Sequence, residues 1–200
     1  DTLLMSDPPQ SIASILENQR NSINQMSDYF DALMDMGKFH GGSFEVNPSV
    51  FYLGEFSQRI DAEFAQLCDS RGLAWRLNVE DVAVNTDADL LLRLLRNLLT
   101  NAVRYTDHGE VCCCASVAGE QVNFLISDTG RGIAAKHLKT VFEQFVRLDK
   151  DNSEGVGRGL GLSIVDKIDK ALGLGLQMTS TVGKGTEFTF HLPIVRELEQ

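Results

Sequence analysis

From about residue 44 onwards, the sequence alternates short segments of strand period with longer segments of helical period. The last four strand segments come as two hairpins. One joins "EVCCCASV" to "QVNFLISD" around "AGEQ", and the other joins "LQMTST" to "TEFTFHLP" around "VGKG". Hairpin strands with helices between them indicate one mixed, mostly antiparallel sheet with helices on one face. The predicted fold class is α+β, a two-layer α/β sandwich with a mixed sheet.

The remaining segments are assigned from their period and their end signals. "SFEV", "LAWRLNV" and "VAVNT" alternate like strands, and residues 50–69 suit a helix. Thr86 and Asp89 have the spacing of a capping box, which predicts that a helix begins there and runs to about Tyr105. Another helix is predicted for "GLGLSIVDKIDKAL" and should be closed by Gly173.

Residues 10–37 carry a different pattern, that of one long helix with apolar residues at alternating spacings of four and three. This repeat is the a/d seam of a helical bundle or coiled coil; the alternative is a surface helix packed on its own domain. We therefore predict two domains, a bundle-forming helical segment at 1–40 and the sandwich at 41–200. The seam consists of Ile12, Leu16, Gln19, Ile23, Met26, Phe30 and Leu33.

Charge and cysteine usage narrow the classes of ligand. The formal net charge is −10, which argues against a nucleic-acid surface because such a surface needs clustered Lys and Arg. An anionic ligand would need helix N-termini, backbone N–H groups, a metal or a few placed arginines. Cys112, Cys113 and Cys114 point to alternate faces of a strand, so the three cannot chelate one metal together. We interpret them as strand residues in a reducing compartment.

No apolar run approaches the roughly 20 residues that a membrane span needs. Because the chain begins with Asp1, we expect it to be part of a longer protein. We expect a cytoplasmic location, and any membrane anchor of the parent protein would lie outside this sequence.

The helix predicted for 87–105 has two stripes. Leucines form one stripe, and a second, polar stripe follows the spacing i, i+4, i+7 and i+8. The ordinary explanation of a polar stripe is a solvated face, but in this charge-rich chain such a face would more naturally be Glu and Lys. An amide oxygen suits Mg²⁺ without repelling phosphate, and an arginine suits phosphate oxygens. The polar stripe consists of Asn97, Asn101, Arg104 and Tyr105.

Two glycine-containing loops offer further binding groups. "DTGRGI" follows an alternating strand, so the Asp128 carboxylate should lie at the sheet rim, where it can accept a hydrogen bond from an exocyclic amine. Gly130 and Gly132 lack Cβ atoms, which would let a planar ring approach the backbone. "GVGRGLGLSIV", 155–165, leads into a helix whose first N–H groups would form an anion site. Taken alone, each motif is also an ordinary turn or flexible loop.

The order and spacing of these motifs together resemble the catalytic and ATP-binding domain of sensor histidine kinases, in the GHKL (HATPase_c) superfamily. "NLLTNAVRYT" resembles its N box, "DTGRGI" its first glycine box, "FEQFVRLD" its F box, "GRGLGL" its second glycine box and "GKGT" its third. The resemblance covers about residues 44–193. It implies the Bergerat ATP-binding fold, with a nucleotide pocket between helices and a lid at 148–157.

The resemblance also implies a role for individual residues. Asn101 would hold Mg²⁺, and Asn97 would help to order the metal site. Asp128 would bind the adenine amine, with Thr186 near the adenine. Catalysis would involve both asparagines and Arg104. The other implied nucleotide contacts are Tyr105, Gly130, Gly132, Ile133, Arg147, Gly157, Arg158, Gly159, Leu160 and Gly161.

Asn97 separates kinases from ATPases within the superfamily. DNA gyrase, MutL and the heat-shock chaperones carry a glutamate at that position to activate water, and an asparagine cannot act as a general base. The implied reaction therefore transfers the γ-phosphoryl group of ATP to a protein. The helix at 10–37 resembles the second helix of the dimerisation and histidine phosphotransfer domain, so the acceptor histidine is expected upstream. None of the chain's own histidines fits the acceptor motif, namely His40, His108, His137 and His191.

The implied partners are ATP, the upstream phosphotransfer helix, a response regulator or receiver domain, and a second copy in a full-length homodimer. Two other functions stay open. One is a non-catalytic nucleotide-sensing module, in which ATP only gates contacts with the helix at 10–37. The other is a serine kinase of the anti-sigma-factor type, which shares the pocket but usually lacks an attached bundle helix.

Overall fold

The computed structural model describes residues 45–146 and 160–195, and these residues belong to one compact unit, Phe44–Gln200. None of the described helices is long and apolar enough to cross a membrane. Several predictions lie outside the described residues: the helix at 10–37 with its domain at 1–40, the lid at 148–157, and the site residues Arg147, Gly157, Arg158 and Gly159.

The described residues form strands and α-helices in an order close to the predicted one. Two short 3-10 helices, Ala135–His137 and Thr140–Phe142, follow the fifth strand. In chain order the main elements are β1 (Ser49–Tyr52), α1 (Leu53–Ser70), β2 (Ala74–Val79), β3 (Ala83–Thr86), α2 (Ala88–Arg104), β4 (Glu110–Ala118), β5 (Gln121–Asp128), α3 (Gly161–Leu172), β6 (Gln177–Thr181) and β7 (Gly185–Pro193).

Five strands form one mixed sheet in the order β2-β4-β5-β7-β6. The β2–β4 pair is parallel, and the other three pairs are antiparallel, including both predicted hairpins. Strands β1 and β3 form a separate antiparallel pair, and Val84 of β3 makes an isolated bridge to Ile194 just beyond β7. The predicted α+β sandwich with a mixed sheet is confirmed.

The core lies between one face of this sheet and the helices. Alternate residues of the central strands point into it, and Phe124 of β5 stacks on Phe190 of β7 with ring centroids 4.7 Å apart. The leucine stripe of α2 supplies the helix side. Its fully buried members include Leu91, Leu94, Leu95, Leu98 and Leu99.

Two local predictions are wrong. Thr86 does not cap α2; the Asp87 carboxylate does, accepting hydrogen bonds from the backbone N–H groups of Asp89 and Leu90 at 3.1 and 3.0 Å. Thr86 instead ends strand β3 and is buried, and a carboxylate is at least as good a cap as a hydroxyl.

The first strand is also misplaced. The described part of "SFEV" lies in no strand, and β1 takes Ser49–Tyr52, the segment predicted to begin the helix 50–69. Valine, phenylalanine and tyrosine favour strands, and here that preference prevails over the helical pattern. The predicted end of α3 is confirmed, because Gly173 adopts the left-handed conformation with φ of 66°.

Candidate functional site

The polar stripe of α2 faces the first residue of α3. Gly161 lies so close to α2 that an added Cβ would be 3.2 Å from Asn97 Oδ1 and 3.6 Å from Asn101 Nδ2. Both asparagines are half-buried, whereas a solvated face would be exposed. The stripe therefore lines a contact between two helices, and glycine at the start of α3 leaves room for the two amides.

Asn97 is held in one orientation by its own helix. Its Nδ2 donates to the carbonyl of Arg93 at 2.8 Å, so its Oδ1 is turned towards Gly161. Asn101 lies one turn further along the same face. In the part of the chain that the structure describes, no group of three or more His, Cys, Asp or Glu residues could hold a metal ion. A cation here would be bound by amide oxygens, and Mg²⁺ commonly takes one or two protein oxygens beside water and phosphate.

Asp128 ends β5 at the rim of the sheet, as predicted. Its Oδ1 accepts hydrogen bonds from the backbone N–H groups of Gly130 at 2.9 Å and Thr186 at 3.2 Å. Burial raises the pKa of this carboxyl, and the two hydrogen bonds act in the opposite direction. Among the described residues, none donates to Oδ2, which leaves an oriented acceptor at the rim.

The glycines of the two turns near Asp128 are required by the protein itself. A Cβ at Gly130 would overlap the carbonyl oxygen of Tyr105, and one at Gly185 would overlap the carbonyl of Asp128. Gly132 has a positive φ of 66°, and a Cβ there would overlap a carbonyl of β6. Packing within the protein is enough to require these glycines, and their role in admitting a planar ring stays a prediction. Because these three positions are glycines, the loop after β5 can pack closely against the C-terminal end of α2 and against the β6–β7 turn.

Ser180 connects the loop after β5 with the β6–β7 turn by hydrogen bonds. It was not among the residues predicted from the sequence. Its Oγ accepts a hydrogen bond from the N–H of Ile133 at 2.8 Å and lies 2.9 Å from both the Gly185 carbonyl and Thr186 Oγ1. A hydroxyl has one proton and two acceptor positions, so it donates to Gly185 and accepts from Ile133 and Thr186. The available signal was a polar residue at an inward position of the alternating strand β6.

Two guanidinium groups gather at the C-terminal end of α2. The Arg131 guanidinium lies 4.4 Å from the centroid of the Tyr105 ring, and that of Arg104 lies 5.8 Å from it. The Arg131 backbone is fixed as well, because its N–H donates to the Tyr105 carbonyl and its carbonyl accepts from Gly183. Arg131 was not predicted. In a chain of net charge −10, these two groups place positive charge at this end of α2.

The start of α3 brings backbone N–H groups near the asparagines. Leu160 occupies the N-cap position, and no described side chain caps this helix end. The first N–H groups of a helix lack partners within the helix and attract anions. The described part of the predicted second glycine box is Leu160, Gly161 and Leu162, and its Gly161 lies beside Asn97 and Asn101.

Comparison with known proteins identifies the family of this chain. Residues 86–196 match the family described as Histidine kinase-, DNA gyrase B-, and HSP90-like ATPase. The chain belongs to this family. The match contains the described asparagine stripe, Asp128 and the β6–β7 turn.

Relatives of this chain include the sensor protein SrrB of Staphylococcus aureus, which is 30% identical to it. The matched region covers 92% of this chain and 31% of that protein. The chain thus spans about a third of that relative's length. Among solved structures, full-length ShkA in complex with AMPPNP is 23% identical over 95% of this chain and 40% of that one, with a TM-score of 0.77. The catalytic domain of histidine kinase ThkA is 22% identical over 74% of this chain and 95% of that one, with a TM-score of 0.63. The fold is that of a histidine-kinase ATP-binding domain.

Proposed function

We propose that this chain is the ATP-binding catalytic part of a two-component sensor histidine kinase, which transfers the γ-phosphoryl group of ATP to a histidine on an upstream segment. The observation that carries the proposal is the pair of asparagines on α2, which face the start of α3, a helix end that no described side chain caps. The family match supports nucleotide binding, and the sensor-protein relatives favour a kinase over the other activities of the family.

The base of the nucleotide would be read at Asp128. Its Oδ1 is already occupied by two backbone donors, so its orientation is fixed before a ligand arrives. Oδ2 can then accept a hydrogen bond from the exocyclic amine of adenine. Guanine carries a carbonyl oxygen at the corresponding position and would be repelled, which favours ATP over GTP.

The phosphates would lie between α2 and the start of α3. Asn101 and Asn97 offer amide oxygens for Mg²⁺, which when bound offsets the negative charge of the phosphates. The N–H groups at the start of α3 and the Arg104 guanidinium would bind phosphate oxygens. These groups orient and polarise the nucleotide.

Transfer of the phosphoryl group to a protein is favoured over hydrolysis because Asn97, which would lie beside the phosphates, is an amide and not a carboxylate that could activate water. Asn97 cannot take a proton from water, and its Nδ2 is committed to the Arg93 carbonyl. Of the described histidines, His108 lies in the turn between α2 and β4, His137 lies in a 3-10 helix, and His191 lies on β7, paired with Asn123. None of these three lies on a helix of the bundle type that would present an acceptor. In the full-length protein, the acceptor domain, a second copy and a response regulator would complete the relay.

The test is incubation of the chain with Mg²⁺ and γ-labelled ATP, with and without a separately supplied upstream helical hairpin. We expect acid-labile label on the hairpin alone. Asn101→Ala should abolish the labelling, whereas Asn123→Ala, at an exposed asparagine of β5, should leave it unchanged. Label on one of the chain's own histidines would contradict the proposal. ATP binding without any transfer to the hairpin would favour a nucleotide-sensing module instead.

A further inference from the structure

The backbone of Arg131 joins the loop after β5 to two other parts of the candidate site. Its N–H donates to the carbonyl of Tyr105 at 3.1 Å, and its carbonyl accepts from the N–H of Gly183 at 2.8 Å. The first bond reaches the C-terminal end of α2, and the second reaches the β6–β7 turn. Both bonds are made by main-chain atoms, so the side chain can be replaced without removing either of them.

The side chain of Arg131 lies over the ring of Tyr105. Its guanidinium carbon is 4.4 Å from the ring centroid, whereas that of Arg104 is 5.8 Å away. A guanidinium within about 6 Å of an aromatic face is attracted by the quadrupole of the ring. Tyr105 is 37% exposed, so burial alone does not fix the ring. The contact with Arg131 therefore restricts the orientations that the ring can take.

Tyr105 lies between the two groups that the proposed function assigns to the base and to the metal. On one side its backbone N–H donates to the carbonyl of Asn101 at 3.0 Å. On the other side its carbonyl oxygen is so close to Gly130 that an added Cβ would overlap it, and the N–H of Gly130 donates to Asp128. A nucleotide whose base meets Asp128 and whose Mg²⁺ meets Asn101 would pass beside Tyr105.

We propose that Arg131 is a positioning residue for nucleotide binding. Its guanidinium holds the ring of Tyr105 in the orientation in which the ring contacts the bound nucleotide. The inference rests on the proposed function and on the contact between Tyr105 and the nucleotide that the family resemblance implies. Arg131 acts through the ring, and its own side chain does not bind the phosphates.

A direct contact between Arg131 and the phosphates fits this placement less well. The phosphates would lie between α2 and the start of α3, where Gly161 faces the two asparagines. Arg131 belongs to the loop that follows Asp128, at the end of the site where the base would bind, and its carbonyl is bonded to the β6–β7 turn. Arg104 belongs to α2 itself, the helix that carries the asparagines, and is better placed to bind phosphate oxygens.

The test is a double-mutant cycle on Arg131 and Tyr105, in which calorimetry measures ATP affinity in the presence of Mg²⁺. Arg131→Met keeps the backbone hydrogen bonds and a long side chain but removes the guanidinium. We expect it to weaken ATP binding about 2–5-fold, the effect of losing an exposed cation–π contact. In a Tyr105→Leu background the same substitution should have no further effect. Arg131→Lys keeps a cation without the planar group and should restore part of the affinity.

Lys136→Met is the matched control, because Lys136 is an exposed cation a few residues further along the chain, in the 3-10 helix Ala135–His137. It removes the same charge and should leave the ATP affinity unchanged. Equal losses in Lys136→Met and Arg131→Met would show a general effect of charge on an anionic ligand and would overturn the inference. A loss at Arg131 that persists in full in the Tyr105→Leu background would overturn it as well, because the guanidinium would then contact the nucleotide itself.

The same titrations separate this inference from the proposed function. A parent chain that binds no ATP would overturn the proposed function, and the role of Arg131 with it. A parent chain that binds ATP, with an Arg131→Met variant that binds it equally well, would overturn the role of Arg131 alone. In that second case the contact is only structural, and urea denaturation would show a change in the midpoint of unfolding without a change in ATP affinity.

Discussion

The two sides of helix α2 are built from the same 17 residues and serve different purposes. On one side Leu94 and Leu98 are at most 1% exposed and lie in the core. On the other side Asn97 and Asn101 are half-buried and face Gly161 of another helix. The position of a leucine follows from the period of its own helix, whereas the role of an asparagine depends on what lies opposite. Stability and ligand binding should therefore be separable by substitution on this one helix.

The largest effect is expected on the leucine side. Leu98→Ala removes a fully buried side chain, and such changes cost about 2–5 kcal/mol in free energy of unfolding. Urea denaturation measures the loss. Under conditions where the variant is still folded, its affinity for ATP should stay near that of the parent chain. A selective loss of ATP binding, with unchanged stability, would contradict the division of the helix into two sides.

The next effect is expected at the sheet rim, where Asp128 faces the proposed adenine. Asp128→Asn removes a charge-assisted hydrogen bond of about 1.5–3 kcal/mol, which corresponds to a loss of roughly 10–150-fold in ATP affinity. Calorimetry measures it. Asp107→Asn is the control, since Asp107 is exposed in the turn after α2. If the two variants bind ATP equally well, Asp128 does not read the base.

The pH dependence of ATP binding should identify the same carboxylate. Burial raises the pKa of Asp128 above its usual 3.8, so the group becomes protonated at less acidic pH than an ordinary aspartate. Only the ionised form is an acceptor on both oxygens, so ATP affinity should fall as the pH drops through this raised pKa. For folding stability the sign is opposite. Because the pKa of Asp128 is raised in the folded state, the protonated carboxyl stabilises the fold at low pH, and this stabilisation is lost as the pH rises through the raised pKa. The ATP affinity of Asp128→Asn, measured by calorimetry at a series of pH values, should change less than that of the parent chain around the raised pKa of Asp128.

The fold could be predicted because its signals are local. Alternation in "EVCCCASV" and "QVNFLISD" sets both the strands and the face that each residue occupies, and this alternation is enough to place Asp128 at the rim of the sheet. Boundaries failed where two local signals competed, as at Thr86 and Asp87, where either side chain could begin a helix. No such competition exists at Gly173, and that helix end was predicted.

The site was less predictable because its contacts join distant parts of the chain. The asparagine stripe can be found within α2, but the facing Gly161 was connected to it only by resemblance to a family. Ser180 looks like one more hydroxyl in "MTST", and its importance comes from Ile133 and Thr186 on either side. Arg131 likewise gains its position from Tyr105, which no local pattern indicates.

A smaller effect is expected where Ser180 joins the two turns. Ser180→Ala leaves the N–H of Ile133 and the carbonyl of Gly185 without their shared partner, at a cost of about 1–3 kcal/mol if water does not replace it. Because Thr186 and Asp128 are bonded to each other across these turns, ATP affinity should fall as well. Ser180→Thr keeps the hydroxyl and should restore most of the affinity. Thr179→Ala, at the exposed neighbouring position, should change neither quantity; a loss as large as that of Ser180→Ala would contradict the role of the hydroxyl.

The smallest effect on stability, and the sharpest separation of the two sides of α2, is expected at Asn101. Its side chain is half-buried beside Gly161 and has no part in the leucine core, so Asn101→Ala should change the free energy of unfolding by no more than about 1 kcal/mol. The same variant should lose the increase in ATP affinity that Mg²⁺ provides, because the proposed amide ligand is gone, while Mg²⁺-free nucleotide binding through Asp128 persists. Parallel calorimetric titrations with Mg²⁺ and with a chelator measure this difference. Thr100→Ala, at the exposed preceding position, is the control and should respond to Mg²⁺ as the parent chain does. If Asn101→Ala keeps its full response to Mg²⁺, the cation is bound elsewhere and Asn101 is not a ligand of the metal.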